Sequence, residues 1–352
     1  MRRLRSMLGF VALAVWPESG ARAEALVPPC PPSPVFAGIE WAPPESVVRE
    51  AIDGDNWPVT WAEDDALYTT WGDGTGFEPK VPEKLSCGFA RVQGGPADFR
   101  GENLFSLNTQ PGQGRNGLKA WGLLAVGPRL YAWFGHADKQ GGMAQLAWSD
   151  NQARTWTFAD WHFAEFGLVG FVNFGRGYAG ARDDYVYAYS HDGARADVPA
   201  DRFILMRVPR TRVGERAAYE FYAGTDAARQ PRWSADVTDR QAVFTNPDGC
   251  LRSAMTWHPA SRRYLWWQAI PQPKGHRDRG DTRFAGGFAI YDAPEPWGPW
   301  TTVYHTRQWD MGPGEHGDFP AKWMEADDRV WLVFSGEDAF SVRAGRLQRR
   351  NP

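Results

Sequence analysis

An aromatic strand closing on a small or polar cluster occurs five times in this chain. The copies are ALYTTWGD from Ala66, RLYAWFGHAD from Arg129, YVYAYSHD from Tyr185, RYLWWQAI from Arg263 and RVWLVFSGED from Arg329. Anchored on Leu67, Leu130, Val186, Tyr264 and Val330, they are 63, 56, 78 and 66 residues apart. Repetition at this spacing is the mark of one supersecondary unit used again and again. Each copy follows a turn rich in charge, Gly or Pro (AEDD, VGPR, ARDD, HPASRR, EADD), and each precedes a further strand-like run: LSCGFARV, MAQLAWSD, RFILMRVP, FAGGFAIYD and FSVRAGRL. Turn chemistry between alternating apolar runs predicts hairpins. Three or four strands per unit, taken five times with no long amphipathic helix between, hide their edges by radial packing. The expectation is an all-β, single-domain, five-bladed β-propeller.

The first residues carry a different signal. A basic start, MRRLRS, is followed by the apolar run Met7 to Trp16 and by Ala21-Arg22-Ala23. These are the three parts of a secretory leader, so residues 1–23 are read as a signal peptide, 24–36 as a Pro-rich lead-in and 37–352 as the propeller. The apolar run is too short to span a bilayer comfortably. A secreted or periplasmic monomer is expected, with no membrane span.

Net charge is −3 over 352 residues, with both signs mixed along the chain, which argues against a nucleic-acid partner. Cys30, Cys87 and Cys250 match no zinc or redox spacing, and export leaves room for one disulfide and one odd thiol. The 19 tryptophans and the alternation of Tyr185, Tyr187 and Tyr189 place most aromatic rings on one strand face, as packing between blades. The remainder could stack on sugar rings, Trp57, Trp71, Trp133 and Trp323 being the candidates.

Propeller topology also sorts the acids. Residues entering a first strand and residues leaving the second meet on one rim, whereas the hairpin between them lies on the other. Glu63, Asp64, Asp65, Asp183, Asp184, Asp327 and Asp328 therefore belong to solvated turns, where carboxylates hydrogen-bond the backbone. Asp55, Asp73, His136, Asp138, His191, Asp192, Asp318 and Glu337 fall on the near rim. WSDNQARTW, 148 to 156, looks like a degenerate Asp-box of sialidase-type propellers, with Asn151 for the aspartate and Ala153 for the glycine; it bears on architecture only.

Three further motifs point one way. IYDAPEPWGPW at 290 to 300 resembles the G-P-W outer hairpin of five-bladed glycoside hydrolases of the arabinanase and β-xylosidase type. ILMRVPRTRVGERAAYEFYAG at 204 to 224, with DFPAKWM and LVFSGED, resembles a bacterial secreted family of unknown function that includes endo-D-arabinanases. The similarity covers most of residues 50 to 347. It implies a glycoside hydrolase acting on a polysaccharide, arabinan-type furanosides among the candidates. By position Asp55 resembles the base aspartate of such propellers.

Glycosidic cleavage needs one protonated and one ionised carboxyl group, separated in pKa by burial and neighbours. The catalytic candidates are Asp55 with Asp318 or Glu337 as proton donor, Glu315 ranking beside Glu337. Asn56, Trp57, Asp73, Lys119, His136, Asn173, His191, Asp192, Arg252 and Lys322 are the candidates for holding a polysaccharide or oligosaccharide, arginine through its planar fork. No metal ligand set is read: His136, His191 and His316 lack local ligand spacing, and a central calcium is left open. A phosphate-cradling loop, a G-x-S-x-G elbow and an H-E-x-x-H helix do not occur in the sequence. Two other classes stay open: a non-catalytic carbohydrate-binding propeller, and a lyase in which Arg252 neutralises a uronate.

Overall fold

A computed structural model describes residues 27–107, 114–272, 287–311 and 314–351. The leader read over 1–23 and the polar loop at 274–281 lie outside the described residues. Regular structure among the described residues consists of β-strands and short 3-10 turns.

The five repeated segments form the strands Leu67–Gly72, Arg129–Gly135, Tyr185–His191, Arg263–Ile270 and Arg329–Phe334. Each is the second strand of an antiparallel meander. The first strands are Asp55–Trp61, Lys119–Val126, Val169–Asn173, Ser253–His258 and the two-residue Gly317–Asp318. Gly88–Gln93, Ala144–Ser149, Ala200–Pro209, Gly287–Ala293 and Phe340–Arg349 follow as third strands. A short parallel ladder, Val172 with Met255 and Asn173 with Thr256, fuses the third and fourth meanders into one sheet.

The first strands touch one another in a closed order. Asp55–Trp61 meets Lys119–Val126, which meets Val169–Asn173, then Ser253–His258, then Gly317–Asp318, which returns to Asp55–Trp61. Phe36–Trp41, from the N-terminal end of the described chain, pairs antiparallel with Phe340–Arg349 from its C-terminal end. Ahead of it, the Pro-rich lead-in is tied to the fourth meander: Thr302 N donates to Pro31 O and Ser33 N to Thr302 O. The edge of the last sheet is thereby covered by chain distant in sequence.

Aromatic rings fill the space between meanders. Trp133 meets Phe163, Phe171 and Tyr219, and Trp266 meets Tyr189, Phe203 and Phe244. Fully burying one large apolar side chain stabilises a fold by roughly 1.5–3 kcal/mol, so these clusters are the glue of the sheets. In the WSDNQARTW hairpin Asn151 Oδ1 accepts from Ser149 Oγ at 3.0 Å and from Thr155 N at 2.9 Å. The asparagine carbonyl thus does the accepting that the aspartate of the motif would do. Ala153 adopts φ 65° where the motif has glycine.

Cys30, Cys87 and Cys250 are all free thiols. Cys87 is buried with its sulfur 3.2 Å from Thr70 Oγ1. No helix among the described residues is long and apolar enough to cross a membrane.

Candidate active site

Strand pairing places the ends of the meanders in register: Asp55 lies opposite Gly72, Lys119 opposite Gly135, and Ser253 opposite Gln268. Six of the predicted residues, Asp55, Asn56, Asp73, Lys119, Arg252 and Glu315, converge at this end. Asp55 opens its strand and is buried, and its Oδ1 accepts from Asn56 Nδ2 at 2.7 Å. Lys119 Nζ, also buried, is ion-paired with Asp73. Arg252, the residue before Ser253, points Nη2 at Glu315 Oε2 at 3.6 Å.

The backbone that makes this cluster is unusual. A bulge interrupts the first strand between Asn56 and Val59, where Trp57 and Pro58 together stand opposite the single residue Thr70, and Asn56 and Trp57 adopt φ 74° and 66°. A bulge re-aims side chains that a regular strand would send to opposite faces. Trp121 forms a second bulge, between Ala120 and Gly122. Its ring lies under Arg252, 5.2 Å from guanidinium carbon to centroid, and edge-on to His136 at 6.0 Å.

Gly72 supplies the floor. A Cβ there would stand 2.6 Å from Asp55 Oδ1, 3.1 Å from Asn56 Nδ2 and 3.2 Å from Lys119 Nζ. Those three polar atoms therefore gather over one glycine Cα, and any side chain would part them.

Burial, and next the nearby Glu315 charge, push the Asp55 carboxyl up to about 8; Lys119 and Arg252 pull in the other direction. Desolvation is the largest cause because a buried carboxylate loses its hydration. The site therefore favours the protonated form of Asp55. His136 is pushed down by burial and then by the Lys119 charge, and its Nδ1 sits 3.2 Å from Gly117 O.

Asp318 sits deeper. Its Oδ2 accepts from Val59 N at 3.2 Å and its Oδ1 from Thr256 Oγ1 at 3.3 Å, while burial raises it to about 6. Neither Lys322 nor Arg252 forms an ion pair with it. Together with His316, Asn173 and Tyr189 it lines a channel that narrows to about 10 Å³, room for about one water molecule. His316 is driven down to about 3 by burial and the Arg252 charge.

Several predicted site residues lie elsewhere. Glu337 is exposed on an outer turn, 65% in its side chain, with Arg49 Nε 3.6 Å away, because the loop after Phe334 swings out instead of in. Lys322 is at the opposite rim, Nζ 3.3 Å from Asp65 Oδ2 in the first hairpin turn. Asn173 ends its strand instead of opening it, and Thr60 Oγ1, five residues along from Asp55, donates to its Oδ1 at 2.9 Å. Asp192 is clamped between Arg202 and Arg240, each through Nε, at 2.6 and 2.9 Å. His191 is fully buried with Nε2 2.8 Å from Arg195 O. It secures a loop and faces no opening.

Trp57, Trp71, Trp133 and Trp323 are at most 3% exposed and so offer no face to a sugar. Nor do the described residues contain three or more His, Cys, Asp or Glu arranged to hold a metal ion. Sequence reasoning overlooked Trp121 and Gln268, both at the mouth. The bulge that delivers Trp121 has no signal in the strand pattern, although Gly135 was one. A Cβ at Gly135 would stand 2.3 Å from Trp121 Nε1.

No family model and no characterised protein matches the sequence. Among solved structures, the chain is similar to an α-L-arabinofuranosidase from Podospora anserina in complex with cellotriose, at 9% identity and TM-score 0.47 over 90% of this chain and 96% of that one. A β-xylosidase is similar at 12% identity and TM-score 0.48, over 87% and 96%. A hydrolase from Bacteroides ovatus, described as putative, is similar at 11% and 0.49, over 88% and 93%.

Proposed function

We propose that this chain is a five-bladed β-propeller glycoside hydrolase that cleaves a polysaccharide, arabinan-type furanosides being the first substrates to try. The closed order of first strands and the five meanders support the blade count. One arrangement carries the chemistry: Asp55, a buried carboxyl group whose pKa desolvation raises, shares a mouth with Glu315, which Arg252 faces as a counter-charge. Glycosidic hydrolysis requires one carboxyl group as proton donor and a second as base.

In this reading Asp55 donates its proton to the glycosidic oxygen as the bond from that oxygen to the anomeric carbon breaks. Glu315 takes a proton from the water that attacks the carbon. Exchange with solvent then restores both groups. The physical reason to make Asp55 the donor, where the resemblance implied a base, is its desolvated carboxyl. Asp73 and Lys119 set the field around it, and Asn56 fixes its orientation. Asp318 is assigned to the channel wall, where its raised pKa reflects burial.

A stacking-only binding protein is less well supported, because the tryptophans it needs are interior. A uronate lyase would want a cation for the substrate carboxylate, and Arg252 and Lys119 already face Glu315 and Asp73. The leader read over 1–23 supports export, checked by N-terminal sequencing of periplasmic or culture-medium protein for a start at Glu24.

The deciding experiment is a reducing-end assay of the purified mature protein on arabinan, xylan and pectin, with Asp55→Asn and Glu315→Gln beside it. Loss of a general acid or base costs about 10²–10⁴-fold. Full activity in either variant would overturn its assignment.

A further inference from the structure

The segment from Asp192 to Arg202 has two sides. On its inner side Ala196 packs with Trp121 and Leu168 in a small buried cluster at the mouth. Asp197 lies close enough to His136 for its charge to act on that ring. Backbone bonds lock the same segment to neighbouring mouth loops: Met143 N donates to Ala194 O at 3.1 Å, Ala196 N to Gly141 O at 3.1 Å, and Gly167 N to Gly193 O at 2.8 Å.

On its outer side the segment lines an open cleft of about 580 Å³, within the size range of small-ligand sites. The lining is polar. Arg195 and Arg202 offer guanidinium groups that are 44% and 42% exposed, and Asp201 offers carboxylate oxygen. Asp192, ion-paired to Arg202 and Arg240, braces the floor from within. Fixed donors and acceptors with no aromatic plane suit a hydroxyl-rich ligand.

We infer that this cleft is a remote glycan subsite, holding a sugar unit of a chain that is also engaged at the Asp55 mouth. This deepens the glycosidase reading and rests on it. One loop adjoins both places, with Ala196 and Asp197 turned toward the mouth and Arg195 lining the cleft, so a chain long enough to leave the mouth comes within reach of Arg195. Hydrogen bonds from arginine to sugar hydroxyls are exchanged against water, so each adds only modestly to affinity. The subsite would therefore favour long chains by about tenfold in affinity.

The test is calorimetry with the Asp55→Asn protein, which removes turnover from the readout. Arabino-oligosaccharides and xylo-oligosaccharides of two and of six units are the probes. The expected result is six-unit binding about tenfold tighter than two-unit binding in at least one series, the difference shrinking to about twofold when Arg195→Ala or the cleft-filling Ala200→Tyr is added. Equal affinity for both lengths in both series, or a length preference that survives both cleft variants, would overturn the inference. Length-dependent binding without any cleavage by the wild-type protein would overturn the hydrolase reading and leave the subsite standing.

Discussion

Asn56 donates from Nδ2 to Oδ1 of Asp55 at 2.7 Å, although neighbours on a regular strand face opposite ways. The contact exists because Asn56 adopts φ 74° at the start of a bulge. One backbone irregularity thus turns the first residues of a strand into a polar pair over Gly72.

Gly72→Ala tests that geometry. The added methyl would stand 2.6 Å from Asp55 Oδ1, so the pair must move. Overpacking of this kind costs about 1–3 kcal/mol. Chemical denaturation should show that loss, and turnover should fall by more than stability accounts for.

The alkaline limb of kcat/KM should follow Asp55, which loses its proton near pH 8. Lys119→Met removes a positive charge that lowers this pKa, so the limb should move up. Glu315→Gln removes a negative charge that raises it, so any residual activity should have its limb moved down. A limb unmoved in both variants would separate Asp55 from the profile.

Stability should carry the same signature. The folded pKa of Asp55 is raised, so its contribution is full below the ordinary carboxylate pKa near 4 and is lost as pH rises through about 8. Asp318, raised to about 6, acts with the same sign. From pH 5 to 8 the wild-type Tm should therefore fall relative to that of Asp55→Asn, which lacks this titration.

Glu337→Gln and Lys322→Met should leave turnover within about twofold of wild type, and Glu337→Gln should keep stability within about 1 kcal/mol, as an exposed ion pair contributes little. Glu337 faces Arg49 on an outer turn and Lys322 faces Asp65 at the far rim. A large loss of activity in either would contradict their placement.

The repeated strands were legible because an aromatic period of two is written locally, and Tyr187, Tyr189 and Trp266 are buried where that period sends them. Hairpin turns declared themselves through their acids, as Asp183 shows by bonding Tyr187 Oη at 2.8 Å from the turn side. Asp55, Asp73, Lys119 and Arg252 do stand where rim position places them: each opens a first strand or adjoins the end of a first or second strand. The same rule misassigned Asn173, because Val169–Asn173 begins four residues earlier than its polar end suggests. Glu337 was misassigned because nothing in LVFSGED tells an outward loop from an inward one.

Local alternation and turn chemistry were thus enough to read an all-β chain built from a reused strand unit, with a pool of polar residues at strand ends. Only the tertiary structure decided that Glu315 accompanies Asp55 at the mouth, that Asp318 faces the channel, and that the conspicuous tryptophans are interior. Those outcomes depend on bulges, loop paths and the packing of segments far apart in the chain, where desolvation and neighbouring charges act through space and leave no periodic trace.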